Sequence, residues 1–553
     1  MRGVNVKVSA YNHVTASGDV LPMSYIAPTD MLTFLLEEHP DLLVGGLQSH
    51  QDRAENLGAF WQAYKLQHAD HRVYQEHQDS LQTVVPIAWH GDEGRRKRRG
   101  NTVVVSCEAV IGVHTALQKK RPHPSCDCKA QDGIKQKYGP LSRKLHEHTC
   151  DLLKKQWTNM KGHSFLQHFA LFMIPSSVHH ERPQVLMEML KLIAADFRRL
   201  FFEGLTVQSR HVCFAVVSGK GDLKWFCKIA LERSFQNQGV VTDIPCCHEC
   251  QAGEPDKPWE DLREQPAWAL SRYTQRPWAR PPPMIGVPFS VAAPEKMYKR
   301  DPFHCLKVGL LRDLAGSCIC WFVRKGYYGE QGDFDEKLTA CHSVFRLFCA
   351  TTGRTASLRT FSRAFFMYPR FSAYPWCNAK GSDVMILLKF ITVQCVGFHN
   401  TPLDPSHVPI LKLMNQTCHA AITFFDGLNG HGLWFWRDCA MVVYASLTKL
   451  INGYATLACW TLNDVNFNGW AMKPKLHFVK HYHLEIHEML MSGCEVFYNC
   501  NRDNCEMCED FIGRICRLSR RLDSRKIGER VLNCALLKLE LLHKRFVKTN
   551  KLK

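Results

Sequence analysis

Apolar residues between positions 81 and 240 form four short runs of the kind found in β-strands, with turn-forming residues between them. Between the third and fourth runs, apolar positions recur every three or four residues over 184–204, which predicts an amphipathic helix ending at Gly204. The predicted strands are QTVVPIAW (82–89), NTVVVSCEAVIGVH (101–114), FALFMIPSSV (169–178) and HVCFAVVSG (211–219). Three strands, a helix and a fourth strand predict an α/β core.

The pattern before this region is partly helical. Residues 30–43, DMLTFLLEEHPDLL, predict an amphipathic helix that begins at an Asp30 cap and stops near Pro40. Residues 55–80 predict a second helix.

The pattern after the predicted core changes twice. Residues 251–300 are rich in Pro and Trp and predict an irregular connection over the surface. Beyond Asp301 the apolar runs are long and cover most faces of a helix, as in the core of a sizeable helical domain. Residues 509–553 predict a basic helical end. No stretch reaches the roughly 18 uncharged apolar residues of a membrane-spanning helix, so we expect no membrane partner.

Charge and cysteine content narrow the class of partner. The chain of 553 residues has a formal charge of +18, and Lys and Arg gain affinity for phosphates by displacing counterions, which favours a polyanionic partner. The 25 cysteines are spread along the chain, and its start, MRGVNVKVSAYNH, lacks an apolar signal segment. We therefore expect reduced thiols in cytosol or nucleus, some of them metal ligands.

Two aspartates follow predicted strands of the core. Asp92 comes after PIAWHG and Asp222 after FAVVSGKG. A carboxylate at a strand end can project toward a shared site while the strand fixes its backbone, which suits hard divalent cations. If the two strands are neighbours, one Mg²⁺ can bridge both groups. Asp is also common in turns, and the pattern alone leaves that role open.

Two pairs of soft ligands stand far apart in the sequence. Cys247 and Cys250 have the C-x2-C spacing that places two thiolates on one tetrahedral metal. His477 and His481 are one helical turn apart, which suits two imidazoles on one zinc ion. Packing of the thiols and a solvated helix face for the histidines are the alternatives. A joint Cys2His2 site would close the helical region onto the core.

A second C-x2-C pair, Cys505 and Cys508, has Cys494 and Cys500 nearby and is a weaker zinc candidate. Around it, three acids stand at the start of an amphipathic helix, where acidic residues are also ordinary partners of the helix dipole. They are Glu506, Glu509 and Asp510.

The order of these parts resembles the RNase H-like DDE transposases of eukaryotic cut-and-paste elements, and within them the CACTA, Plavaka and hAT-related group. The order is Asp, Asp, C-x2-C, a long helical stretch, H-x3-H and a final acid. DPFHCLKVGLLRDL (301–314) is similar to the Asp-x-x-His segment that opens the insertion in Plavaka-like families, and KPKLHFVKH (473–481) to their Pro-Lys-x-His segment. The resemblance covers roughly 80–525.

The resemblance implies an α/β RNase H-like core, a mixed sheet with flanking helices, interrupted by a large all-α insertion. It divides the chain into 1–80, a partly helical N-terminal segment; 81–250, the first part of the core; 251–470, the mainly helical insertion; 471–530, core completion with the His pair and third acid; and 531–553, a basic helix or tail.

The resemblance also implies metal-dependent DNA cleavage and strand transfer. Asp92, Asp222 and Glu509 match the three carboxylates that hold Mg²⁺ or Mn²⁺, with Glu506 and Asp510 as competitors for the third place. The other implied ligands, of a structural Zn²⁺, are Cys247, Cys250, His477 and His481. The basic residues that would lie along DNA phosphates are Arg95, Arg96, Lys97, Arg98 and Arg99.

The implied partners are DNA and further copies of the chain on DNA, and the implied location is the nucleus. The basic run also fits a solvated loop or an import signal. No zinc-finger DNA-binding domain of the kind many such transposases carry precedes the core, which is expected of a truncated, domesticated or decayed copy.

Two other functions fit the sequence. One is a non-catalytic, zinc-stabilised DNA-binding protein derived from a transposase. The other is a hydrolase with Asp301 and His304 in its site, although Asp301 before Pro302 also suits a helix cap.

Overall fold

The apolar runs of the predicted core form the centre of a seven-stranded mixed sheet in the computed structural model. The structure describes residues 6–15, 17–95, 100–117, 143–229, 231–233, 245–462, 464, 467–494, 496–520, 522 and 526–551. The strands of the sheet are β1 (Ser9–Val14), β2 (Val20–Tyr25), β3 (Val84–Arg95), β4 (Asn101–Ala109), β5 (His168–Pro175), β6 (Leu205–Val207) and β7 (Arg210–Lys220). A separate two-stranded sheet pairs β8 (Trp434–Trp436) with β9 (Val496–Tyr498).

The order across the large sheet is β1-β2-β5-β4-β3-β7-β6. Strands β5, β4 and β3 are antiparallel neighbours, whereas β7 runs parallel to β3 on its other side. β3 and β4 pair Asp92 with Val104, and β3 and β7 pair His90 with Lys220. A parallel pair requires a crossover, and the amphipathic helix predicted at 184–204 lies within it.

Helices surround the sheet and form most of the chain after residue 301. The α-helices are α1 (Pro28–Glu38), α2 (His50–Lys65), α3 (Val73–Glu76), α4 (Arg143–Leu153), α5 (Ser176–Glu181), α6 (Pro183–Phe202), α7 (Leu223–Lys228), α8 (Leu311–Arg324), α9 (Phe334–Thr351), α10 (Gly381–Asn400), α11 (Val408–Gly430), α12 (Arg437–Leu462), α13 (Lys475–Met491), α14 (Glu506–Ser519) and α15 (Ile527–Lys551). A π-helical segment, Phe303–Leu310, precedes α8 and is kinked at Gly309.

Two clusters of buried apolar side chains organise the described part of the chain. One lies around the large sheet and the other among the helices after residue 305. Helix α13 belongs to both, because Phe478 packs in the sheet cluster while Val479 packs in the helical cluster. This helix carries the predicted histidine pair into the boundary between the two cores.

The structure corrects three expectations about local structure. β3 continues through Arg95, so Asp92 lies within a strand rather than after its end. Trp268 and Met284, in the stretch expected to cross the surface, are fully buried, since an irregular backbone can still bring large apolar side chains into a core. Helix α1 begins after Ala27, not at an Asp30 cap.

Two further elements lie outside the expectations. The hairpin of β1 and β2 was not predicted, because its strands are largely half-exposed or exposed and lack a clean apolar alternation. Strand β8 interrupts the region expected to be all helical.

One helix within the described residues, Gly381–Asn400, is long and apolar enough to cross a membrane when judged by length and composition. In the fold, 44% of its most apolar window is buried inside the protein. A helix packed in a protein core meets the same two criteria, so the finding is weak evidence for a membrane span.

Candidate functional site

The parallel pairing of β3 and β7 brings two of the predicted acids together. His90 of β3 lies opposite Lys220 of β7, and each aspartate comes two residues later. Because the two strands run parallel from this pair onward, Asp92 and Asp222 lie side by side at the same cavity. Asp222 also caps α7, where its Oδ1 accepts a hydrogen bond from the Trp225 N–H at 2.6 Å.

The third acid at this place is Glu509, in the first turn of α14. Helix α14 packs directly on β3, because Ile512 and Cys516 occupy the space that a side chain at Gly94 would need. The Sγ atom of Cys516 would lie 2.5 Å from a Cβ at that position. A glycine two residues after Asp92 therefore lets the helix bring Glu509 to the strand.

The two other candidates for the third acid have other partners. Glu506 receives a hydrogen bond from Lys307 Nζ at 2.6 Å. Asp510 is bound by Ser164 Oγ at 2.7 Å and by Arg514 Nε at 2.6 Å. Of the three acids that the sequence left open, the structure places Glu509 beside Asp92 and Asp222.

The three carboxylates line one cavity of about 220 Å³. The lining also includes two lysines, a histidine and an amide. The lining residues are Asp92, Glu93, Asn101, Asp222, Lys224, Trp225, Lys228, His304 and Glu509.

Asp92 and Glu509 hold their protons more tightly than isolated carboxyls do. Burial and the negative charges of Asp222 and Glu509 raise the pKa of Asp92 well above its usual range. Burial raises the pKa of Glu509 to about 7, with a contribution from the charge of Asp222, although a hydrogen bond with Asp92 opposes the change. Carboxylates crowded in this way bind cations because a cation relieves their mutual repulsion.

The neighbouring Glu93 is held out of the acidic group by its own partners. Its carboxylate is paired with Lys228 and with His179 Nε2, the latter at 2.8 Å. Although burial raises the pKa of Glu93, hydrogen bonds from Lys228 and His179 lower it to about 2. Lys228 and Lys224 were not singled out in the sequence; both lie on the helix that starts at Asp222, where a basic i, i+4 pair was the available signal.

His304 completes one wall of the cavity, and Asp301 holds its ring in place. The Asp301 carboxylate accepts hydrogen bonds from the backbone of Phe303 at 2.8 Å and of Cys505 at 2.9 Å. It also binds His304 Nδ1 at 2.5 Å, which leaves His304 Nε2 3.8 Å from Glu509 Oε1. Asp301 thus accepts hydrogen bonds from the first backbone amides of the π-helical segment, as a helix cap does, while His304 faces the acids.

The charge on His304 is favoured by its neighbours. Burial lowers the pKa of the imidazole, but the hydrogen bond and negative charge of Asp301, together with the charges of Asp222 and Asp92, raise it overall. A protonated His304 would place a positive charge against the carboxylates.

The Cys and His pairs predicted as one metal site meet at a second place. Cys247, Cys250, His477 and His481 are all buried, and their ligand atoms lie within 4.8 Å of one another. Cys250 Sγ is 3.3 Å from His477 Nε2, and Cys247 Sγ is 3.4 Å from His481 Nε2. Two thiolates and two imidazoles in this arrangement can hold a metal ion such as zinc.

Neighbouring groups hold the side chains of this cluster in place. Backbone N–H groups of Glu249 and Ala252 donate to Cys247 Sγ and Cys250 Sγ, each at 3.4 Å. The Glu249 carboxylate lies 3.6 Å from His481 Nδ1 and is paired with Arg300. Partners of this kind orient metal-binding side chains.

The predicted basic run is described only at its first residue. Arg95 is exposed at the end of β3, three residues after Asp92. Arg96, Lys97, Arg98 and Arg99 lie outside the described residues.

The fold and site define a mixed α/β protein with a carboxylate-lined cavity and buried Cys/His clusters that can hold a metal. Comparisons of the chain with protein-family models, with curated proteins and with solved structures gave no match.

Proposed function

We propose that this protein is a transposase-like enzyme that cleaves and joins DNA strands at a divalent-metal site on an RNase H-like core. The strand order supports the core assignment. β5, β4 and β3 form an antiparallel series, and β7 lies parallel to β3 on the other side. The transposase resemblance places the first acid on the first strand of such a series and the second acid after the fourth, where Asp92 and Asp222 lie.

The observation that carries the proposal is the meeting of Asp92, Asp222 and Glu509 at one cavity. These residues are separated by about 130 and about 290 positions in the sequence. Structural acids in turns and helix ends have no reason to converge, and unpaired carboxylates repel one another. A shared cation would offset this repulsion and so explain why the three carboxylates lie together.

The donors fit Mg²⁺ or Mn²⁺, because both ions prefer oxygen ligands and carboxylates that leave room for water and substrate. Two such ions, when bound, activate an attacking water or 3′-hydroxyl and stabilise the leaving oxygen of a phosphodiester. Asp92 would hold them from within β3, Asp222 from the start of α7, and Glu509 from α14. Lys224, exposed at the cavity, would bind a DNA phosphate on the way in.

The charge of the chain supports DNA as the substrate. Its formal charge is +18, and the run Arg95, Arg96, Lys97, Arg98 and Arg99 begins three residues after Asp92. Cations beside a phosphodiester-cleaving site would hold the backbone by counterion release. We further propose zinc for the Cys2His2 cluster, assembly of copies on DNA, and a nuclear location.

The test is nicking of supercoiled plasmid by the purified full chain in Mg²⁺. We expect Asp92→Asn, Asp222→Asn and Glu509→Gln each to lower nicking by about 1000-fold or more, because groups that act as a unit lose most of their effect together. Asp510→Asn, one position from Glu509 and bound to Arg514 instead, should keep the activity and is the matched control.

Equal nicking by the wild type and the three site variants would overturn the catalytic proposal. A wild-type chain that binds plasmid tightly but never nicks it, in either Mg²⁺ or Mn²⁺, would favour the non-catalytic alternative, a zinc-stabilised DNA-binding protein.

A further inference from the structure

A second group of soft ligands lies beneath the carboxylate cavity. His90 of β3, Cys505 before α14 and Cys508 in α14 are buried, and one ligand atom of each lies within 4.8 Å of the others. Cys505 and Cys508 have the C-x2-C spacing, whereas Cys494 and Cys500, which also stand nearby in the sequence, are not part of the group. The strand residue His90 completes a set that the local sequence does not show.

The environment of His90 points to a ligand. Its side chain is 1% exposed, and neither ring nitrogen has a hydrogen-bond partner among the described residues. A buried polar atom without a partner destabilises the folded state. A metal ion on one ring nitrogen would give that nitrogen a partner.

His168, at the start of β5, lies near Cys508 but belongs to a different group of possible ligands, which it forms with Cys508 and Glu108. Its Nε2 is 3.3 Å from Cys508 Sγ and 3.2 Å from a carboxylate oxygen of Glu108. The other oxygen of Glu108 is bound by Lys220 Nζ at 2.6 Å. His168 Nε2 and Glu108 therefore have partners of their own, whereas both ring nitrogens of His90 lack one within the described part of the chain.

We propose that Cys505, Cys508 and His90 bind a second structural zinc ion, separate from the Cys2His2 cluster at α13. Two thiolates and one imidazole supply three of the four ligands that a structural zinc ion takes in proteins. The ion would join β3 to the start of α14.

The position of this ion would let it fix the geometry of the carboxylate site. This role rests on the proposed function, whereas the proposal that zinc binds here does not. His90 precedes Asp92 by two residues on one strand, and Cys508 directly precedes Glu509. An ion that binds His90 and Cys508 would therefore fix the distance between the first and third acids. The ion would also hold the cysteine-rich loop before α14, across which the helical phase cannot be predicted from the sequence.

The experiment is a count of zinc per chain in the purified full-length protein by elemental analysis. We expect two ions in the wild type, one in the double variant Cys505→Ser/Cys508→Ser, and one in Cys247→Ser/Cys250→Ser. The matched control, Cys494→Ser/Cys500→Ser, should keep two. A folded Cys505→Ser/Cys508→Ser chain that retains the wild-type count would overturn the proposal, as would a wild type with a single ion that only Cys247→Ser/Cys250→Ser removes.

A measurement on the wild type covers the case in which the variant does not fold. Cys505 and Cys508 should resist alkylation in the zinc-loaded chain and react after treatment with a chelator, as mapped by mass spectrometry. Cys107, which is equally buried but belongs to no ligand group among the described residues, should react slowly in both states. Equal reactivity of Cys505 and Cys508 before and after chelation overturns the second site. Neither count nor alkylation depends on nicking, so a failed catalytic proposal would leave this result readable.

Discussion

Glycines set the spacing around the first acid of the site. Asp92 is flanked by Gly91 and Gly94, and a Cβ at Gly91 would overlap the ring of Trp225. A Cβ at Gly94 would overlap Ile512 and Cys516 of α14. The two glycines thus let two helices pack closely on β3. Helix α7 begins directly after Asp222, and helix α14 contains Glu509.

The substitution Gly94→Ala should lower activity by displacing α14 more than it lowers the stability of the fold. The added methyl group forces α14 away from β3, and overpacking of this kind costs about 1–3 kcal/mol. A displacement of about 1 Å at a catalytic group can lower the rate by up to about 100-fold, so we expect Mg²⁺-dependent nicking to fall far more than the folded fraction at low temperature. Gly58→Ala, in α2 with open space around it, is the control and should leave nicking unchanged. Unchanged nicking in Gly94→Ala would show that α14 does not position an essential acid.

His71 should make the fold sensitive to mild acid. Its Nε2–H donates to the Val216 carbonyl at 3.0 Å, and its Nδ1 accepts from the Val73 N–H at 3.1 Å, so the neutral ring is fully bonded. Burial lowers the pKa of His71 to about 4. The unfolded chain, with an ordinary pKa near 6.5, then binds the proton more readily than the folded chain.

The sign of the effect follows from this difference. The free energy of unfolding should fall as the pH drops from about 6.5 to about 4, by up to about 3 kcal/mol from this residue. His71→Gln keeps a donor near the Val216 carbonyl but cannot titrate. Denaturant unfolding at several pH values should therefore give the variant a shallower dependence than the wild type over this range. Parallel curves would contradict the assignment.

At the scale of elements, helices α11 and α12 pack closely because of one small residue. Gly453 in α12 is buried against Thr417 in α11, and a Cβ at Gly453 would overlap Thr417 Oγ1. That hydroxyl donates to the Leu413 carbonyl at 2.8 Å and has little freedom to move. The contact joins two of the longest helices in the second core.

Two glycine substitutions in helices should have opposite effects. Gly453→Ala should lower the free energy of unfolding by about 1–3 kcal/mol, because the neighbouring helix must shift. Gly397→Ala, in α10 with nothing within 4 Å, should raise it by about 0.5–1 kcal/mol through lower backbone entropy in the unfolded chain. Thermal or urea unfolding measures both. A change of the same sign in the two variants would contradict the packing described for Gly453.

Elements also show what the sequence could and could not predict. The strands at β3, β4, β5 and β7 and the helix α6 were predicted because their apolar patterns are continuous. The spacing of His477 and His481 was readable because a helical turn is local. The choice among Glu506, Glu509 and Asp510 was not, since helical phase is lost across the preceding loop and only the packing of α14 on β3 restores it. His90 and His168 carry no spacing signal, because strand pairing brings them near Cys508.

At the scale of the whole molecule, the Cys2His2 cluster lies where the two apolar cores meet. Cys247 and Cys250 belong to the sheet cluster, and His477 and His481 lie on α13, which contacts both cores. A metal ion there would link the sheet to the helices after residue 305, since its two pairs of ligands come from opposite sides of a long stretch of chain.

Removal of a metal ion from this cluster should lower the stability of the contact between the two cores. At a free metal concentration about 100 times Kd, a ligand that binds only the folded state adds about 2.7 kcal/mol to stability. We therefore expect Cys247→Ser/Cys250→Ser, or treatment with a chelator, to lower the melting temperature and to speed proteolysis between 251 and 300. Cys494→Ser/Cys500→Ser should melt near the wild type. Identical melting of the zinc-free and zinc-loaded wild type would show that no ion stabilises this boundary.

The hydrogen bond from the Cys505 N–H to the Asp301 carboxylate joins two points that are 204 positions apart. The chain thus departs for the helices and comes back at almost the same spot, beside the acidic cavity. Because the two ends of this segment are held together, the segment can gain or lose helices without distorting the sheet. We expect that a change of length made within this segment, with the His pair retained, would preserve the geometry of the sheet.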